Sequence, residues 1–315
     1  MKIVILDAAT LGADIDLTPI TAQGEVTVYQ TTAQHEVAER LQDADAVVVN
    51  KLKMNAESLQ NAYRLRLICV TATGYDNVDT AYCRARGIAL CNVPGYSTDS
   101  VAQVTVAMAL SLATHLVAYR DRVHSGAYTE GGVANHLTPV FHELSAMTWG
   151  IVGGGAIGTR VAEIAEAMGC RILLCRRKKQ ERFCQVELNE LLAQSDIVSL
   201  HVPLTDETRH MIDAEALRKM KDNAILINVA RGAVTDEAAV ADAVISGKLG
   251  GLGVDVYSTE PFPTDHPFTP LTGRENVCLT PHMAWGSAEA RARCVATVAG
   301  NIRNFFVGKE QNRIV

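Results

Sequence analysis

The stretch "TWGIVGGGAIGTRVAEIAEAMG" (148–169) decides the fold. An apolar run through Trp149, Ile151 and Val152 reaches Gly153, Gly155 and Gly158 at GxGxxG spacing, and an amphipathic helical pattern follows. That spacing has little weight alone. Between a strand and a helix it has a mechanism: Gly153 permits a tight turn, Gly155 lets a pyrophosphate approach the backbone, and Gly158 lets helix and strand pack closely. Ala156 and Ile157, which open the helix, complete the anion-binding turn.

Working outward, short apolar runs alternate with helical stretches in both directions. Before the loop they are "KIVIL", "EVTVY", "AVVVN", "LRLICV" and "IALCNV". From residue 149 they are "WGIVG", "RILLC", "DIVSLHV", "AILINVA", "LGVDV" and "VCLTP". Such alternation implies parallel sheets built from βαβ units. The pattern runs twice, so the expected fold is α/β, with two doubly wound parallel-sheet domains and a cleft between them. The expected division is 1–98 plus 287–315 for a substrate-binding domain and 99–286 for a dinucleotide-binding domain. Thr98 or Asp99 can cap one long helix through "VAQVTVAMALSLATHLVAYRDRV", apolar around most of its girth. That helix is expected between domains or at a subunit interface. Ser287 can cap a last helix, "AEARARCVATVAGNIRNFF", that returns to the first domain.

The strand after the glycine helix ends in "RRKK" (176–179). An acidic residue there would accept hydrogen bonds from the adenosine ribose and repel a 2′-phosphate. Arg176 does neither; it can pair with that phosphate and stack on adenine, with Arg177 beside it. The substitution favours NADP(H). NAD(H) is the alternative if the turn is only a solvated basic corner.

Ligands of open α/β sheets gather at the carboxyl ends of strands. Those ends carry Val229 and Arg231, then Asp255 and Glu260, then His282, and in the first domain Lys51 and Thr73-Gly74. This set suits reduction of a 2-keto acid. Arg231 can hold carboxylate and carbonyl oxygen with its planar fork, and a protonated His282 can deliver the proton. A carboxylate at Glu260 favours the charged imidazole. Thr73 and Gly74 amides can bind the substrate carboxylate, while Lys51, Tyr75, Tyr96 and Trp285 are candidates for the pocket lining. Asp255 has a plainer alternative, as a turn cap.

The bulk numbers exclude other classes. A net charge of −6 gives no electrostatic support for a nucleic-acid partner. No apolar run reaches the roughly 18 residues of a membrane span, and the start, "MKIVILDAAT", has one Lys and an apolar run too short for a signal h-region. A cytoplasmic protein is expected. The eight cysteines include no CxxC pair and fall mostly in apolar runs, so buried free thiols are expected and no metal site.

Seven segments in order, "TATGYDNVD", "NVPGYSTDSVAQ", "WGIVGGGAIG", "HVPLTDETRHMI", "INVARGAVTDE", "GLGVDVYSTEP" and "LTPHMAWGSAEA", span nearly the whole chain. With them the chain resembles the D-isomer-specific 2-hydroxyacid dehydrogenases, and "NKLKM" and "GYSTDSVAQ" resemble the glycerate dehydrogenase (hydroxypyruvate reductase) branch most. The resemblance implies a flavodoxin-like substrate domain and a Rossmann cofactor domain. It implies that Arg231 binds substrate, Glu260 polarises the histidine and His282 is the acid/base. It further implies Asp255 near the nicotinamide carboxamide, Pro203 and Thr208 beside the adenosine and pyrophosphate, and a homodimer joined through the cofactor domain. Formate-oxidising members carry Gln in place of Glu260, which argues against formate. The departures are Arg176 for the usual Asp and Gln103 where an acid is common. The expected activity is hydride transfer between NAD(P) and a small D-2-hydroxy acid, such as that formed from hydroxypyruvate or glyoxylate. The competing class is a nucleotide-sensing, corepressor-like binding module on the same fold. A short-chain dehydrogenase would need Tyr with Lys four positions later, and no Tyr here has one.

Overall fold

A computed structural model describes all residues, 1–315. The chain divides into two units, Met1–Ser97 with Gly286–Val315, and Thr98–Trp285. The first contains β1 (Lys2–Ile5), α1 (Thr18–Thr21), β2 (Glu25–Val28), α2 (Val37–Arg40), β3 (Ala46–Val49), β4 (Leu67–Val70), α3 (Thr80–Arg86) and β5 (Ala89–Cys91). The second contains α4 (Thr98–Ala113), α5 (Leu116–His124), α6 (Ala127–Glu130), β6 (Thr148–Val152), α7 (Ala156–Ala167), β7 (Arg171–Cys175), β8 (Cys184–Gln185), α8 (Leu188–Gln194), β9 (Ile197–Leu200), α9 (Ala214–Lys219), β10 (Ala224–Asn228), α10 (Glu237–Ile245), β11 (Leu249–Val254) and β12 (Val277–Leu279). Helix α11 (Ala288–Phe306) then returns to the first unit.

Both sheets are wholly parallel, in the orders β2-β1-β3-β4-β5 and β12-β11-β10-β9-β6-β7-β8. Parallel strands are covered on both faces, so β3, β4, β6, β9 and β10 are buried along their whole lengths. Strand order reverses between β1 and β3 in one sheet and between β6 and β9 in the other. A crevice opens at the carboxyl ends of strands where the order reverses, so each reversal marks a ligand edge. At the first, buried Asp7 accepts the Asn50 and Lys51 amides at 3.0 and 2.8 Å. Its burial raises the carboxyl pKa, and those amides offset part of the rise. Helix α11 packs on β4 and α1, and Val295, Val298 and Ile302 are each no more than 1% exposed. Each such side chain stabilises the unit by about 1.5–3 kcal/mol relative to leaving it in water. Ser287 caps α11 by accepting the Ala290 amide at 3.2 Å.

The long helix expected from Thr98 onward is two helices. α4 and α5 meet at an angle of 64°. The break is at His115, whose φ of 51° is left-handed, after Thr114 donates its hydroxyl to the Leu110 carbonyl at 2.7 Å. Such a bond competes only weakly with the helical ladder, since Thr105 makes the same one inside the unbroken α4; the left-handed His115 makes the turn. Neither Gly nor Pro marks the spot. The two-residue strand β8, at the sheet edge, is too short to carry an apolar pattern. No single helix is long and apolar enough to cross a membrane.

Candidate active site

The glycine loop is built by close approach. Gly153 has φ 103°, and a Cβ there would lie 2.5 Å from the His201 carbonyl oxygen. A Cβ on Gly158 would lie 1.9 Å from the Gly153 carbonyl oxygen, so the helix can reach the strand only through glycine. Gly155 differs, because nothing lies within 4 Å of a Cβ built there. The loop is therefore closed behind and open in front. Ala156 and Ile157 start α7, whose first amides have no intrahelical acceptor. Such a cradle fits a dinucleotide pyrophosphate.

Arg176 follows β7, and its Cδ is 2.8 Å from the position a Gly154 Cβ would take, so its side chain lies against the loop. Arg177 reaches Glu207 at 3.5 Å across an exposed surface, a pair contributing about 1 kcal/mol or less. Glu207 belongs to the turn that holds Pro203 and Thr208. The Thr208 hydroxyl donates to the Pro203 carbonyl at 2.7 Å and accepts the Thr205 amide at 2.8 Å. Val229, half-buried after β10, packs into the core between the sheet, α4 and α7.

Three strand ends supply the reactive groups. After β10, Asn228 ties down the next turn: its Oδ1 accepts the Ala230 amide and its Nδ2 donates to the Arg231 carbonyl. The Arg231 guanidinium donates from Nη1 to the Ala230 carbonyl at 2.7 Å. After β11, buried Asp255 accepts Thr280 Oγ1 at 2.6 Å and the Met283 and Ala284 amides at 2.9 Å. Both its oxygens thus hold the segment on either side of His282. His282 has φ 52° and sits at the corner of that segment. Its Nδ1 is 2.7 Å from Glu260 Oε2 and 2.9 Å from Oε1. Glu260 Oε1 also accepts the Tyr257 amide at 3.1 Å. The Tyr257 hydroxyl donates to the Thr280 carbonyl at 2.9 Å. Burial, reinforced by the charges of Asp255 and Glu260, pushes that phenol up to about 12, so it stays a donor.

Glu260 and His282 are therefore in direct contact. The Arg231–Gly232 backbone packs on the same turn, since a Gly232 Cβ would lie 2.0 Å from the Tyr257 carbonyl carbon. Trp285 ends the second unit. Lys51, Thr73, Gly74 and Tyr96 lie in the first unit. There, Lys51 follows β3 with an exposed side chain, and Thr73 donates its hydroxyl to the Val93 carbonyl at 2.8 Å. Tyr96 is buried, with its carbonyl accepting from Arg293 at 3.0 Å. Sequence reasoning missed Tyr257, Glu237 and His266, which shape the turn around Glu260; only their contacts reveal them.

His201 has a structural part. Its Nε2 is 2.9 Å from Ser199 Oγ, which also accepts Trp149 Nε1 at 2.9 Å. Burial pushes its pKa from 6.5 down to about 3. The unfolded chain then binds more protons between those values, so stability is full above 6.5 and is lost as pH falls. Between pH 7 and 4.5 this group should remove about 3 kcal/mol. His201→Asn should flatten that part of the unfolding free energy against pH; an unchanged slope would show that His201 protonates without cost.

With this geometry in place, comparison with known proteins is decisive. The family model for the D-isomer specific 2-hydroxyacid dehydrogenase NAD-binding domain matches residues 106–284. The chain belongs to the D-isomer-specific 2-hydroxyacid dehydrogenase family. Among curated relatives, a glycerate dehydrogenase of Methylorubrum extorquens is 37% identical over 99% of this chain and 98% of that protein. A hydroxypyruvate reductase of Blautia hydrogenotrophica is 36% identical over 99% of each. Among solved structures, a D-lactate dehydrogenase of Aquifex aeolicus complexed with NAD and lactic acid superposes with a TM-score of 0.88 at 32% identity, covering 97% of this chain and 96% of that one. The matching family model is that of an NAD-binding domain and lies within the second unit, whose glycine loop is open at Gly155.

Proposed function

We propose that this family member reduces a small 2-keto acid, hydroxypyruvate or glyoxylate, to the D-2-hydroxy acid, with NADP(H) as the preferred cofactor. The observation that carries the reading is the 2.7 Å contact between Glu260 and His282, on a turn that also seats Arg231–Gly232. Glu260 engages Nδ1, so Nε2 is the nitrogen that hands a proton to the carbonyl oxygen in reduction and recovers it in oxidation. Arg231 binds the carboxylate and polarises the carbonyl. The bound nicotinamide supplies the hydride. Thr73 and Gly74 are proposed contacts for the carboxylate, and Lys51, Tyr96 and Trp285 are proposed pocket lining. Arg176 against the glycine loop supports 2′-phosphate recognition, and Arg177, Pro203, Thr208 and Val229 are proposed cofactor contacts. Asp255, with both oxygens engaged, acts on the cofactor side chiefly by fixing the His282 segment.

A second copy of the chain is the proposed partner. Leu116, Val123, Val133, Leu137, Val140 and Phe141, all within residues 116–141 of the second unit, are each between 49% and 74% exposed, which supports an association surface there. Eight free thiols support a reducing, cytoplasmic setting.

One experiment tests both halves of the proposal: NADPH and NADH consumption with a panel of 2-keto acids, for the parent chain and Arg176→Asp. Turnover of hydroxypyruvate or glyoxylate is expected, with the NADPH/NADH ratio of kcat/KM falling about 10- to 100-fold in the variant. Tight cofactor binding without turnover of any keto acid would favour a nucleotide-sensing module. An unchanged ratio would show that Arg176 does not meet the phosphate.

A further inference from the structure

The Tyr257–Ser258 peptide is where the proposed catalytic groups converge. The Tyr257 amide donates to Glu260 at 3.1 Å. The Tyr257 hydroxyl holds the Thr280 carbonyl, which also accepts the His282 amide at 3.1 Å. Gly232, next to Arg231, presses on the peptide so closely that a Cβ would lie 2.1 Å from the Ser258 nitrogen. Three groups from three strand ends are thus registered against one peptide.

That peptide is clamped from behind. Glu237, the first residue of α10, is buried. Its Oε1 accepts the Ser258 amide at 2.9 Å, and its Oε2 accepts the Ser258 hydroxyl. His266, also buried, lies with Nε2 3.1 Å from the same Oε2. The Phe268 amide donates to His266 Nδ1 at 3.1 Å, so the ring proton sits on Nε2 and points at Glu237. The buried carboxylate therefore receives three donors, and the tautomer of its histidine partner is fixed. Phe262 and Phe268 flank His266, with ring centroids 4.8 and 5.1 Å away. Burying a carboxylate is costly unless its oxygens are hydrogen-bonded, and two of the three bonds that satisfy Glu237 come from Ser258.

We propose that Glu237 and His266 are positioning residues: they lock the Tyr257–Ser258 peptide so that Glu260 stays aligned on His282, a role that rests on the dehydrogenase reading above. Neither touches substrate in this account. Displacing catalytic groups by about an ångström is enough to cost about 100-fold in rate, so a loosened clamp is read in kcat rather than in cofactor binding.

The test is a double-mutant cycle in the full chain, with kcat and KM for hydroxypyruvate, NADPH affinity by fluorescence, and thermal midpoint. Glu237→Gln opposes an amide NH2 to the Ser258 and His266 donors, and Ser258→Ala removes the shared hydroxyl with little risk to folding. Each is expected to lower kcat about 10- to 100-fold with NADPH affinity unchanged. Combined with Glu260→Gln, each should add almost nothing, because both changes disable the same alignment. Glu237→Asp, which keeps the charge one methylene short, should recover part of the loss. Effects of Ser258→Ala and Glu260→Gln that multiply, or a loss confined to thermal midpoint, would overturn the proposal while leaving the dehydrogenase reading intact. Absence of turnover in the parent chain would instead remove the reading itself, and the clamp's catalytic role with it.

Discussion

Replacing His282 with Ala should lower kcat for keto-acid reduction by about 100- to 10,000-fold, the range spanned by a positioned acid–base group. The loss should fall on the chemical step. Cofactor affinity should hold, because the proposed dinucleotide cradle is the Gly153–Gly158 turn rather than His282. Glu260→Gln should have a smaller effect in the same direction: it keeps an acceptor beside Nδ1, which lies 2.7 Å from Glu260 Oε2, but removes the carboxylate charge that orients the ring. Stopped-flow measurement of NADPH oxidation separates the two. If His282→Ala turns over like the parent chain, the proton comes from elsewhere and the assignment fails.

Replacing Arg231 with Ala should lower kcat/KM by about 100- to 1,000-fold, the cost of losing one oriented donor to a developing oxyanion. Both terms should move, because the same fork is proposed to bind the carboxylate in the ground state and the carbonyl oxygen in the transition state. Arg231→Lys should recover only part of the loss, since an ammonium keeps the charge without the planar pair of donors. The Arg231 carbonyl is already held by Asn228 at 2.9 Å, so removing the guanidinium should leave the turn in place. Steady-state kinetics with an unfolding curve decides the matter: a change in stability alone would make Arg231 a structural residue.

The sheets were legible because their central strands are covered on both faces and read as unbroken apolar runs. β3, "AVVV", and β10, "AILIN", could hardly be anything else. The glycine loop was legible for a different reason: backbone crowding at Gly153 and Gly158 forbids any side chain, and such prohibitions leave a mark in sequence. Arg231 and His282 could be picked out as polar residues three positions past an apolar strand, and Glu260 as the carboxylate five positions beyond Asp255. The break at His115 was hidden, because the left-handed turn there falls on a histidine and neither glycine nor proline marks it. The clamp was hidden too. Glu237 meets Ser258 across 21 residues and His266 across 29, and no local pattern records contacts of that span.

The return of α11 to the first unit sets an order of events at birth. A ribosome delivers β1 to β5 first, yet the helix whose Val295, Val298 and Ile302 complete that unit emerges only after all of Thr98–Trp285. The continuous middle segment is complete before its neighbour is, because the neighbour has its five strands but still lacks α11. The earlier-made sheet must therefore wait, one apolar face uncovered and open to chaperones or aggregation, until Gly286–Val315 has been made.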